Sequence, residues 1–260
     1  MYYKRETVEL SGRQVEIIDF QMNEQNSFTG ESMKALSTIL NEIREDPKKR
    51  GAIFSSSNEK FFCNGLDAEN LLATPKDRLL EEVGGIVHLF ADLIQFDKPL
   101  IAEVSGYAMG GGAVVTVACD FKYMLEGKAR IAFTEVLVGL PLPGSFIDRI
   151  KMCVTPKFWS EVCLTGASFK AKEAMEIGLV DGTAPTREEL RKMTIKKMNQ
   201  LVQIPSSAYR STKNILNGQT IAKLEEYKKE TYEAFSKPGV IENLLEAMAA
   251  LKEKRRPNFD

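Results

Sequence analysis

The stretch PLIAEVSGYAMGGGAVVTVACDFKYML, residues 99–125, decides the fold. Its apolar run at 99 to 104 has the length and flanks of a buried strand, and FKYML at 121 to 125 reads as a second. Between them Gly110, Gly111 and Gly112 open a helix of small residues that runs to Ala118. Strand, glycine turn, helix and strand in this order indicate layered α/β structure with right-handed crossovers. Consecutive glycines at a helix N-terminus let a ligand approach the backbone, and the free N–H groups there favour developing negative charge. An oxyanion site and close packing of the helix on a neighbour both account for them. The run is neither GxGxxG nor a Walker loop, since no Lys-Ser/Thr follows, which disfavours nucleotide phosphate binding.

Residues 6 to 20 read as two strands joined at Ser11-Gly12. Met33, Leu36, Ile39, Leu40 and Ile43 recur at helical spacing and the helix ends before Pro47. Residues 51 to 55 resemble a buried strand, and residues 79 to 94 a further helix. Beyond Gly144 the strand signal nearly vanishes, and helical periods run through 155–164, 170–177, 186–203, 206–217, 219–235 and 239–254. Thr186 and Ser206 are expected as N-terminal caps, Gly178 and Gly218 as stops. The expected organisation is an α/β core over 1–200 with a helical region over 201–260, and no repeat of fixed period.

Composition excludes several classes. With 35 Lys and Arg against 36 Asp and Glu, no global field draws nucleic acid or an anionic membrane. Cys63, Cys119, Cys153 and Cys163 lack CxxC spacing and sit beside apolar residues, as reduced core thiols in a cytoplasmic protein do. No ligand cluster for a metal is visible, and no apolar run reaches the roughly 20 residues of a membrane span. The first ten residues lack a secretory pattern and the last three match no targeting tripeptide, so the expected location is the cytoplasm.

Two further segments carry chemistry. FFCNGLD, residues 61–67, runs an aromatic pair into a glycine turn where a backbone N–H can face a ligand; a bare turn is the plainer reading. FTEVLVGLP, residues 133–141, holds Glu135 inside an apolar stretch. A carboxyl desolvated in this way titrates nearer neutrality, where it can move protons, whereas on an edge strand it would simply point to solvent.

Taken together, FFCNGLD, residues 99–112, Cys119-Asp120 and LTGASFKAKEAMEIGLVD (164–181) resemble the crotonase superfamily of enoyl-CoA hydratases and isomerases over essentially the whole chain. The resemblance implies an α/β, crotonase-like fold of repeated β-β-α units with a helical C-terminal region that builds trimers or dimers of trimers. It implies an acyl-CoA substrate, with coenzyme A entering as part of that substrate and no separate cofactor. By motif position the backbone N–H groups of Leu66 and Gly111 would polarise the thioester carbonyl, Glu135 would be the acid/base, and Asn64, Gly65, Leu66, Asp67, Ala68, Gly110 and Gly111 would line the substrate channel. Hydratases usually carry a second glutamate in the helix after the glycines, and here that position is Val114. Val114 with Glu135 and FTEVLVGLPLPGSF is similar to the Δ3,Δ2-enoyl-CoA isomerase branch. Competing readings are a hydratase, hydrolase or dienoyl-CoA isomerase on the same scaffold, or an acyl-CoA-binding protein without turnover. His88 reads as structural, Asp67 as a loop cap, Asp148 and Glu161 as surface charges, and Lys252, Lys254, Arg255 and Arg256 as a solvated helix end.

Overall fold

The computed structural model describes residues 2–259. β1 (Tyr3–Leu10) and β2 (Arg13–Phe20) form the expected hairpin, paired antiparallel from Tyr3 opposite Phe20 to Leu10 opposite Arg13. α1 (Gly30–Glu45) follows, started by Thr29, whose hydroxyl accepts from the Ser32 N–H. Three strand pairs come next: β3 (Lys49–Ser55) with β4 (Phe61–Cys63), β5 (Leu100–Val104) with β6 (Tyr107–Met109), and β7 (Phe121–Leu125) with β8 (Arg130–Ala132). α2 (Ala68–Ala73) and α3 (Lys76–Gln95) follow the first pair, and α4 (Gly111–Ala118) the second. A 3₁₀ turn, Glu135–Val138, follows the third.

Each pair sends its first strand to one sheet and its second to another. The large sheet runs β1-β2-β3-β5-β7-β10, parallel from β2 onward, and the small one β4-β6-β8-β9. The later elements are α5 (Gly144–Cys153), α6 (Trp159–Leu164), β9 (Phe169–Lys170), α7 (Ala171–Ile177), β10 (Gly182–Ala184) and α8 (Arg187–Leu201). α9 (Ser206–Leu216), α10 (Gly218–Ala222), α11 (Leu224–Phe235) and α12 (Val240–Glu253) complete the chain.

Strand alternation sorts the core. Ile18 and Phe54 pack with Leu36, Phe90 and Val114 of the helices on one face, while Ile17, Ile53 and Ile101 meet Leu190 and Met198 of α8 on the other. These faces are apolar on both sides because helices cover both, as parallel strands require. The C-terminus of α4 is held by Arg149 of α5, which donates from Nε to the Val117 carbonyl (2.7 Å) and from Nη2 to that of Cys119 (2.9 Å). Cationic donors there satisfy carbonyls that the helix itself leaves open. α4 is thereby fixed at the end opposite its glycines.

Several expectations need correction. β9 and β10 lie beyond Gly144 and complete both sheets, and α5 runs ahead of the first helical period expected there, at 155. Residues 61–63, read as part of a turn, are strand β4, because their partner β6 supplies hydrogen bonds that three residues cannot signal by pattern. Ser206 is the first helical residue of α9, with Pro205 in the cap position, and Gly218 opens α10 where a stop was expected. Thr186 does cap α8, accepting from the Glu189 N–H, and Gly178 ends α7 in the left-handed region.

Candidate active site

The site forms where the ends of β4, β6 and β8 come together. After β4 the chain passes through Asn64 to Leu66, which bridges Phe28 in parallel. Phe28 donates its N–H to the Gly65 carbonyl (2.7 Å) and accepts from the Asp67 N–H (2.8 Å), so the loop is pinned on both sides of Leu66. Asp67 caps α2, its carboxylate accepting from the Asn70 N–H (2.7 Å) and from Asn23 Nδ2 (3.0 Å). Asn64 donates to Gln25 Oε1 (2.8 Å). Among the described residues the Leu66 N–H has no acceptor.

After β6, Gly110 adopts φ 48° and ψ −118°, a conformation strained for any residue with a β-carbon, and donates to the Ala132 carbonyl (2.9 Å). Gly111 then begins α4, where an N–H has no carbonyl of its own helix to reach. The two loops touch: a β-carbon on Gly65 would lie 2.9 Å from the Met109 carbonyl oxygen and 3.3 Å from the Gly111 nitrogen. The unpaired N–H groups of Leu66 and Gly111 therefore stand on adjoining backbone segments. Behind them α4 is pressed on β4, since a β-carbon on Gly112 would lie 2.1 Å from the Cys63 carbonyl oxygen. The glycine turn thus combines close packing with backbone N–H groups that, among the described residues, have no acceptor.

Glu135 enters from the third strand pair, on the 3₁₀ turn after β8. A β-carbon on Gly110 would lie 3.2 Å from Thr134 Oγ1 and 3.8 Å from Glu135 Oε1, so the carboxyl faces the glycine turn. The residue keeps some contact with solvent, but Oε2 is sealed off and has no hydrogen-bond partner. Burial pushes the carboxyl up to about 7, against a smaller opposing pull from its own backbone N–H. Val114, one turn into α4, is fully buried in the main core.

Of the residues singled out from sequence, Gly65, Leu66, Gly110, Gly111 and Glu135 converge. Asn64 and Asp67 spend their side chains on the loop itself, and Ala68 opens α2. His88 is exposed and pairs with the Tyr232 hydroxyl (3.1 Å). Asp148, read as a surface charge, accepts from the Tyr227 hydroxyl (2.6 Å). Thr134 and Ile86, whose Cδ1 would meet a β-carbon on Gly111 at 3.3 Å, border the site without having been anticipated. Thr134 adjoins Glu135 in sequence, but nothing in the sequence brings Ile86 to Gly111. Two open clefts, one lined by Arg44, Asp97 and Arg210 and one by Ser57, Glu103 and Arg187, include none of the converging residues.

This arrangement of donors and a single desolvated acid sits on a chain whose residues 12–260 match the profile of the enoyl-CoA hydratase/isomerase family. The chain belongs to that family. Among relatives of the family, carnitinyl-CoA dehydratase of Salmonella typhi is 29% identical over 236 residues, covering 89% of each chain. An enoyl-CoA hydratase structure from Bacillus anthracis superposes with TM-score 0.77 at 25% identity, covering 99% of this chain and 98% of that one. Human mitochondrial Δ3-Δ2-enoyl-CoA isomerase superposes with TM-score 0.89 at 21% identity over 98% and 99% of the two chains, a likeness of fold. The crotonase-like fold expected from the motifs is the fold observed.

Proposed function

We propose that this family member moves the double bond of a 3-enoyl-CoA into conjugation with the thioester, using Glu135 as its single acid/base. The thioester oxygen sits between the N–H groups of Leu66 and Gly111. The Glu135 carboxylate takes a proton from C2, and the electron pair delocalises through C3 and C4 and onto that oxygen. The proton then returns from Glu135 to C4, leaving the double bond between C2 and C3. Donors fixed in a dry pocket hold the dienolate without reorganising, and each is worth about 10²–10³ in turnover. A base titrating about 7 is ionised often enough to act yet basic enough to abstract the proton. The residues from Asn64 to Ala68 line the channel for coenzyme A.

The observation that carries this reading is the fate of the second acid position. Hydration needs a water oriented and its protons moved, and Val114 offers only a methyl-bearing side chain enclosed in the core. Hydration or dehydration of the acyl chain is a second reading, favoured by the likeness to carnitinyl-CoA dehydratase. Purified wild type and Glu135→Gln are assayed separately on 3-hexenoyl-CoA and crotonyl-CoA, following the conjugated enoyl thioester. Isomerisation that collapses by about 10²-fold or more in the variant, with little hydration of crotonyl-CoA, supports the one-base shift. Efficient hydration by the wild type sinks it.

A further inference from the structure

The segment that carries Glu135 packs against the last helix of the chain. The 3₁₀ turn closes at Gly139, whose φ of 79° is in the left-handed region. A β-carbon there would lie 2.5 Å from Asn243 Cβ and 3.6 Å from the Asn243 carbonyl carbon, so α12 is in direct contact with the turn's end. The next residue, Leu140, donates its N–H to the Glu135 carbonyl (2.9 Å). Its side chain is buried in a cluster with Leu244 and Met248 of α12, Phe235 of α11 and Leu71 of α2. Val138, on the turn, and Leu66, in the facing loop, pack against the same cluster. One apolar unit therefore touches both the segment bearing the carboxyl and the loop bearing an unpaired N–H.

We infer that α12 is a positioning element of the active site, supplied by the same chain: its contact at Gly139 and its grip on Leu140 fix where the Glu135 carboxyl stands relative to the Leu66 and Gly111 donors. The inference rests on the reading of Glu135 as the base. Its consequence is that loosening the contact at Gly139, which α12 makes with the turn and not with the loop at 64–68, lowers turnover more than substrate capture. A displacement of about 1 Å at a reacting group lowers a rate by up to about 10²-fold.

The full-length enzyme is compared with G139A, N243G, the double variant, L244A and E135Q on 3-hexenoyl-CoA, each with a thermal melt. G139A is expected to lower kcat by about 10- to 100-fold with KM within about threefold. Removing the Asn243 side chain relieves the collision but not the backbone strain, so the double variant should regain about fivefold or more of the kcat lost in G139A. Rescue of kcat while the melting temperature stays at or below that of G139A separates positioning from a loss of folded protein, because glycine at 243 itself weakens α12. If G139A does not fold, L244A carries the test, with a fall in kcat of about fivefold or more at a temperature where it remains native. Wild-type kcat in folded G139A or L244A, or a double variant no faster than G139A, overturns the inference. E135Q separates the levels: inactive E135Q beside a fully active G139A removes the inference alone, whereas active E135Q removes the base assignment and the inference with it.

Discussion

Replacing Glu135 by Gln is expected to change stability and turnover through one shared titration. Burial raises this carboxyl from 4.5 to about 7, which at about 1.4 kcal/mol per pH unit corresponds to a free energy on the order of 3 kcal/mol. The sign follows from proton uptake. Between pH 4.5 and about 7 the folded protein holds a proton that the unfolded chain has released, so the contribution is complete below 4.5 and is lost as pH rises to about 7. Above that range the wild type carries the whole desolvation cost of an ionised, unpaired oxygen. Gln cannot ionise, although its buried amide forgoes water at a cost of about 1–3 kcal/mol, a nearly constant offset. Urea denaturation of both proteins across pH 4.5 to 8.5, at fixed protein concentration, should show the stability difference moving in favour of Gln by up to about 3 kcal/mol. In parallel, wild-type kcat/KM on 3-hexenoyl-CoA should fall about tenfold per pH unit below the same midpoint. Stability curves that stay parallel, or an activity midpoint near 4.5, would refute a desolvated base at this position.

Gly112→Ala places a β-carbon against the Cys63 backbone oxygen, where neither partner is a flexible chain end; the expected result is loss of folded protein, or a melting temperature lowered by several degrees, read by calorimetry. Val114→Glu puts a carboxyl into a fully buried apolar site and should lower stability by about 3 kcal/mol or more in urea denaturation at pH 8, with a smaller loss at pH 5, where the acid is protonated. A Glu there that leaves stability unchanged would mean that Val114 borders an open, polar space.

The elements with a clear period were legible. The stripe from Met33 to Ile43 gave α1, and the apolar runs at 51–55, 99–104 and 121–125 gave three strands of the large sheet, because burial on two faces leaves an unbroken apolar signature. The small sheet was not legible. Its strands β4, β6 and β8 have three residues each, too few to display alternation, and they exist because neighbours from other units complete their hydrogen bonds. At the site, Glu135 stood out as a lone acid in FTEVLVGLP, and the glycine triplet as a helix start with free donors. Thr134, Ile86 and Leu140 carried no such mark, since an ordinary residue becomes part of a site only by what it is placed against.

Which groups are available is written in the chain itself: a triplet of glycines after a strand, Glu135 in an apolar segment, and valine where a second acid could have stood. The sequence also set the order of the long strands and helices, because hydrophobic period and turn chemistry act over a few neighbouring residues. Folding alone brings Gly65 to Gly111, turns the Glu135 carboxyl to Gly110 with one oxygen sealed from solvent, and rests Asn243 on Gly139. Those contacts join segments far apart in the chain. Their distances follow from how the sheets stack and how α12 folds back, which no local pattern encodes.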